Sequence, residues 1–167
     1  TQHGGILVDF NAVKGGIEII PLDNDWQRAA HVYSDEVLIS HRTDAEKGTP
    51  KFERGKSLSD HQQEMIYISG TAAIRGEESI VTGDVLVQTE ITLENIQHLI
   101  GLEEGREKLP EHSGKLELLR VYLKHEEDAK IVKEDMDKLC PDVPIVYLYA
   151  DVCREELLVE IEGIAYL

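Results

Sequence analysis

The stretch from Ala150 to Ala165 constrains this chain more than any other, and it reads as a strand. From Leu157 the odd positions are Leu157, Val159, Ile161, Gly163 and Ala165, all apolar or small. The even positions are Leu158, Glu160, Glu162 and Ile164. A period of two puts the two glutamates on one face, between apolar residues. Carboxylates on so apolar a strand are unusual, because an unpaired buried charge is costly and shifts its pKa instead. Two readings follow: an edge strand with a solvated acidic face, or a carboxyl held in a cleft as proton donor or acceptor.

From residue 64 the chain supplies the elements that could surround such a strand. Met65-Ile66-Tyr67-Ile68 is a short apolar strand leading into Ser69-Gly70-Thr71-Ala72-Ala73. Ser79 to Gly83 reads as a connection. Asp84 then stands at an N-cap position, and Val85, Thr89, Thr92, Ile96 and Leu99 recur at helical spacing up to Gly101. Lys115 to Leu123 alternates as a strand. His125 to Leu139 predicts a second helix with Glu126, Glu127 and Asp128 in its first turn and Ala129, Val132, Met136 and Leu139 as its inner stripe. Pro144 to Ala150 predicts a further strand. The order β, α, β, α, β, β predicts an α+β domain, a mixed sheet with two helices packed on one face. The other face would need its own cover, which oligomerisation could give.

The first part of the chain is less regular. Ile6-Leu7-Val8 and Ile17-Glu18-Ile19-Ile20 read as two strands, the second ended by Pro21. A short strand is expected around Val37-Leu38-Ile39, and Thr43 to Ser59 reads as loop. So long an irregular stretch suggests function or a missing partner surface. The division expected is a joining segment with strands and a long loop over 1–59 and a domain over 60–167.

Charge and cysteine usage narrow the function classes. Net charge is −16, which repels phosphate backbones and disfavours nucleic acid as a partner, though not a local basic pocket. No apolar run is long enough to span a membrane as a helix. Cys140 and Cys153 make no disulfide framework, so a reduced cytoplasmic setting is expected. The chain starts at Thr1, which suggests a processed, trimmed or partial polypeptide.

The candidate chemistry is sparse. The seven histidines show no metal-ligand spacing and there is no Cys-x-x-Cys, so a metal site is weakly supported. His98 is expected at the surface or a boundary. Gly55-Lys56-Ser57 resembles the end of a phosphate-binding loop, but Pro50 stands where the motif needs Gly. Ser69-Gly70-Thr71 is either a plain turn or a place where backbone N–H groups meet a ligand. Cys153 is a nucleophile or a structural thiol, with only Arg154 as a local cue. Arg54, in Pro50-Lys51-Phe52-Glu53-Arg54, is a solvated surface residue or a carboxylate clamp.

Tyr67-Ile68-Ser69-Gly70-Thr71-Ala72, Gly83-Asp84-Val85 with Gln88, Thr89 and Asn95, and Val159-Glu160-Ile161-Glu162-Gly163-Ile164-Ala165 together resemble the Rid (YjgF-like) superfamily. The resemblance implies a chorismate-mutase-like fold, assembled as a trimer, and includes imine and enamine deaminases. Counting back from Glu160, the deaminases' carboxylate-binding Arg falls on Ile145. A fuller resemblance is to the C-terminal half of the chorismatase family. It rests on Ala150-Asp151-Val152-Cys153-Arg154 with Leu157-Leu158-Val159-Glu160-Ile161-Glu162, on Pro50-Lys51-Phe52-Glu53-Arg54, and on Ser69-Gly70-Thr71-Ala72-Ala73-Ile74 with Gly76-Glu77-Glu78-Ser79. It extends to Gly4-Gly5-Ile6-Leu7-Val8-Asp9-Phe10 and Ile20-Pro21-Leu22-Asp23-Asn24.

What this resemblance implies is cleavage of the enol ether of chorismate or a related carboxylate to release pyruvate. Glu160 would donate the proton and Cys153 would line the pocket and bias which nucleophile captures the cation. Arg54 would hold a carboxylate, with the Gly70–Thr71 backbone and Tyr147 as weaker pocket candidates. The cofactor expected is none. The partners expected are a small carboxylate-bearing substrate and either further copies in a homotrimer or a missing N-terminal half. The alternatives are a Rid-type deaminase and a non-catalytic small-ligand-binding module.

Overall fold

A computed structural model describes residues 10–38, 48–60, 62–101 and 115–167. The strand expected at 6–8 lies outside the described residues. Among the described residues are eight strands and two helices: β1 Glu18–Leu22, β2 Gly55–Ser59, β3 Glu64–Thr71, β4 Ile74–Arg75, β5 Glu78–Ser79, α1 Val85–Ile100, β6 Lys115–Leu123, α2 Ala129–Leu139, β7 Ile145–Tyr149 and β8 Val159–Tyr166. Two 3-10 turns, Ala30–Val32 and Glu126–Asp128, complete the described elements. Six strands form one mixed sheet in the order β1-β2-β3-β8-β6-β7, and β4 and β5 form a small separate hairpin. Among the described strands only β6 and β7, joined through α2, run parallel.

The C-terminal strand is central, not an edge. It is hydrogen-bonded to β3 on one side and β6 on the other. It begins at Val159, so Ala150 to Leu158 is mainly a connection rather than strand. Its odd residues Val159, Ile161 and Ala165 are fully buried under α1 and α2 with Leu119, Val121, Leu123, Ile96, Val132 and Met136. Its even residues, Glu160 among them, face away from the helices and are half-buried. The helices therefore sit on one face of an α+β domain, and the acidic pair sits on the other.

Helix α1 begins and ends at the residues expected. The Asp84 side chain accepts from the Leu86 and Val87 amides, and Gly101 caps the other end at φ 81°. The helix also buries polar residues, which makes it a scaffold for loops. Gln88 Nε2 donates to Glu156 O and its Oε1 accepts from Leu158 N, fixing the approach to β8. Asn95 Nδ2 donates to Ala72 O and Ile74 O, fixing the exit from β3. Asn24 Nδ2 donates to Asn95 O, tying the segment after β1 to the same helix.

Several expectations are corrected. Pro21 does not end β1: the strand is an edge, where a missing N–H is tolerated, and it pairs with β2 through Leu22. Gly55–Ser59 is strand rather than loop, held between β1 and β3 despite having one apolar side chain. Val37 and Leu38 form no strand, although Leu38 is buried with Ala30 and Tyr33. In α2, Val132 and Met136 are buried but Leu139 is 45% exposed. His98 is buried rather than at the surface: it contacts Asp25 through Nε2 and stacks on Trp26 at 4.1 Å.

Candidate active site

Glu160 is the second residue of β8, and its position follows from strand phase and one irregularity. On the β6 side its register partner is Tyr122. On the β3 side the register shifts: Ile68 pairs with Gly163 and Thr71 with Ile161, so β3 has one residue more than its partner. Gly70 lies in that irregular stretch. A Cβ there would overlap Glu160 Oε1 and stand 3.0 Å from Cδ, so glycine leaves the space that the carboxyl occupies. No described donor makes a hydrogen bond to the Glu160 carboxyl. Burial pushes its pKa above the ordinary carboxylate value, and the charge of Glu162 adds to the shift.

The carboxyl opens onto a cavity of about 410 Å³ whose wall includes Tyr33, Arg54, Gly70, Cys153, Arg154 and Glu160. Val37, Leu38, Ala72 and Ile74 supply apolar surface. Arg54 directly precedes β2. Its backbone is fastened to β3, where Ser69 N donates to Arg54 O at 3.1 Å and Ser69 Oγ to Glu53 O at 2.6 Å. Its guanidinium is buried. Nη2 donates to Arg28 O at 2.6 Å and to the Tyr33 hydroxyl, while Nε has no partner. The Phe52 and Tyr33 rings lie 5.2 and 5.7 Å from its central carbon.

A second guanidinium flanks the same tyrosine. Arg154 lies 5.5 Å from the Tyr33 ring and donates through Nη1 to Glu77 O and Ser79 Oγ, both at 2.9 Å. Glu77 in turn accepts from Ser34 Oγ at 2.6 Å, Ser34 N at 2.8 Å and Arg28 at 3.1 Å. The Ser34 hydrogen bonds hold the Glu77 carboxyl below the usual carboxylate range. The β4–β5 hairpin thus pins the segment that carries Tyr33. Neither Arg54 nor Arg154 forms an ion pair with a described residue. In a chain of net charge −16 this cavity thus holds two cations with no ion-pair partner among the described residues, an arrangement suited to an anion with more than one negative group.

Cys153 completes the wall. Although the residue is exposed, loss of hydration raises its thiol pKa; the Glu160 charge adds to this and Arg154 opposes it. The group is a thiol at neutral pH rather than a ready nucleophile.

Of the residues singled out from sequence, Glu160, Cys153, Arg54 and Gly70 meet at this cavity. Thr71 does not line it: its side chain is buried and Oγ1 donates to Ser69 O. Tyr147 stands apart. It pairs with Val121 on the helix-covered face of β7, with Lys133 of α2 at 5.8 Å from its ring. Tyr33 and Arg154 were missed. Arg154 had a signal, its position next to Cys153; Tyr33 comes from an irregular segment with no motif around it. Ile145, where the deaminases' arginine would fall, packs against the core. Among the described residues no group of three or more His, Cys, Asp or Glu could hold a metal ion, and no helix is long and apolar enough to cross a membrane.

Comparison with known proteins gives this geometry a family setting. No family model matches the chain. A chorismatase from Streptomyces rapamycinicus is 32% identical over 172 residues, covering 98% of this chain and 48% of the relative. A 3-hydroxybenzoate synthase from Streptomyces hygroscopicus is 36% identical over 128 residues, covering 69% of this chain and 36% of the relative. The chain thus spans about half the length, or less, of the curated relatives it matches. Among solved structures, a chorismatase superposes with a TM-score of 0.71 at 29% identity, over 88% of this chain and 43% of the other. The YjgF protein of E. coli superposes at 0.56 and 15% identity, over 87% and 97%. The chain is a chorismatase homologue on the YjgF/Rid fold, matched along nearly its whole length to about half of a chorismatase.

Proposed function

We propose that this cavity cleaves the enol ether of chorismate or a related carboxylate and releases pyruvate, with Glu160 as the proton donor. The observation that carries the reading is the Glu160 carboxyl itself, kept toward its acid form by burial, with no hydrogen-bond donor among the described residues and two guanidiniums lining the same cavity. Hydrolysis of a vinyl ether begins with protonation of its terminal methylene carbon. A carboxyl that burial shifts toward its acid form is suited to that step.

Chorismate is a dianion, and Arg54 and Arg154 would each take a carboxylate. Proton transfer from Glu160 moves the C=C electron pair to the new C–H bond and leaves an oxocarbenium ion at the ether carbon. Water adds to that carbon and loses a proton, and the hemiketal collapses to pyruvate and the ring alcohol. Net, one water is consumed and Glu160 is reprotonated from solvent. Cys153 lines the same cavity, and its assigned role is to bias capture of the cation between water and a neighbouring hydroxyl. Incubation of the protein with chorismate, with product identification by mass spectrometry, tests the reading. Pyruvate together with a dihydroxylated or aromatised ring product supports it, and unchanged chorismate rejects it.

A further inference from the structure

Glu162 is two residues from Glu160 on the same face of β8, yet its surroundings are opposite in kind. Its Oε1 accepts from the Tyr122 hydroxyl at 2.5 Å and pairs with Arg120 Nε at 3.0 Å. In the β6–β8 register Arg120 stands opposite Glu162, but Tyr122 stands opposite Glu160. The tyrosine therefore does not donate to the carboxyl across from it; it reaches along the sheet to the next one. We propose that Glu162 is a positioning residue for the Glu160 acid. Fixed by Arg120, it withholds the Tyr122 hydroxyl from Glu160 and sets a negative charge beside it, and so determines the pH range over which Glu160 can donate a proton. The inference deepens the proposed function and rests on it for the role of Glu160, although the cluster itself is read from geometry alone.

A hydrogen bond donated to a carboxylate stabilises its charged form, so committing Tyr122 elsewhere favours the acid form. A neighbouring carboxylate disfavours a second negative charge. The other described charged or titratable groups lining the cavity with Glu160 are Tyr33, Arg54 from the segment just before β2, and Cys153 and Arg154 from the connection before β8. β3 presents only Ser69 and Gly70 to the cavity, so the described side of the sheet that can tune Glu160 is the β6 side. Burial and the bond to Glu162 push Tyr122 itself up to about 12, so it remains a donor across the useful pH range.

The test is a direct titration of Glu160 by carbon NMR on protein with labelled glutamate carboxyls, the signal assigned by its loss in Glu160→Gln. Glu162→Gln removes the charge and leaves Tyr122 only the weaker amide oxygen as acceptor, so the Glu160 midpoint falls by about one pH unit. Arg120→Gln removes the cation that offsets Glu162, so the midpoint rises. Tyr122→Phe leaves the Glu162 charge in place and does not lower the midpoint. A fall of less than about half a unit in Glu162→Gln, or a rise, overturns the proposal. If that variant does not fold, Arg120→Gln decides: a midpoint that stays or falls overturns it. The titration needs no turnover, so failure of the proposed reaction and failure of this inference are separable. If the protein does turn over chorismate, the alkaline limb of the rate profile moves with the midpoint in the same variants.

Discussion

The carboxyl of Glu160 occupies the space that a side chain at Gly70 would fill. A Cβ on Gly70 would overlap Oε1 and come within 3.0 Å of Cδ and 3.4 Å of Cγ. The extra residue of β3 and the missing side chain at 70 therefore act together, giving the acid a seat on a central strand whose other neighbours are fixed by pairing.

Gly70→Ala tests that seat. The atoms in the way are the end of a flexible side chain, so the carboxyl turns aside and the fold survives. Thermal stability should stay near that of the unchanged protein while pyruvate release falls by about 100-fold, the cost of misplacing a reacting group by roughly 1 Å. An unchanged rate would show that the carboxyl does not act from this position.

Burying Glu160 has a stability consequence with a definite sign. Its folded pKa is raised, so between the ordinary carboxylate value and the raised one the folded state holds more protons than the unfolded state. Stability then falls as pH rises through that window, and the loss is complete above it. Glu160→Gln removes the effect. Denaturant unfolding should find the variant more stable than the unchanged protein at pH 8, with the advantage shrinking toward pH 4. An advantage that is flat with pH would contradict the shift.

Arg54→Lys keeps a charge but loses the fork and the flat contact with Tyr33 and Phe52. Loss of a charge-assisted hydrogen bond to substrate costs about 1.5–3 kcal/mol. The expected result is a KM for chorismate raised roughly 10- to 100-fold, with kcat affected less. Equal losses in kcat and kcat/KM would place Arg54 in the chemical step instead.

Cys153 should be a slow nucleophile. Loss of hydration and the Glu160 charge both raise its thiol. In a Cys140→Ala background, alkylation by iodoacetamide at pH 7.5 should be slower than that of free cysteine, and Glu160→Gln should speed it by removing the neighbouring charge. Alkylation faster than free cysteine would show an activated thiolate and a different role.

Much of this arrangement is legible in the sequence where one local rule decides. Asp84 and Gly101 bracket a helix whose ends agree with both caps, and the alternation from Val159 correctly puts both glutamates on one face. Partners in space are harder to read. β2 has a single apolar side chain and is specified by pairing with β1 and β3, so its residues carry too little pattern to separate strand from loop. The same reason hides the centrality of β8, because periodicity is blind to what pairs on either side. Neighbouring strands do not imply a shared face, and the register of Tyr147 with Val121 puts it under α2, away from the cavity. Tyr33 reaches the cavity only because Glu77 holds Ser34 and Arg54 holds its hydroxyl, a tertiary arrangement that no short motif encodes.

The sharpest measurement is pyruvate release from chorismate by the unchanged protein and by Glu160→Gln. With Glu160 as proton donor, the unchanged protein releases pyruvate steadily and the variant loses about 100-fold or more, the usual worth of a positioned acid. No pyruvate from the unchanged protein, or an undiminished rate in the variant, would contradict that role.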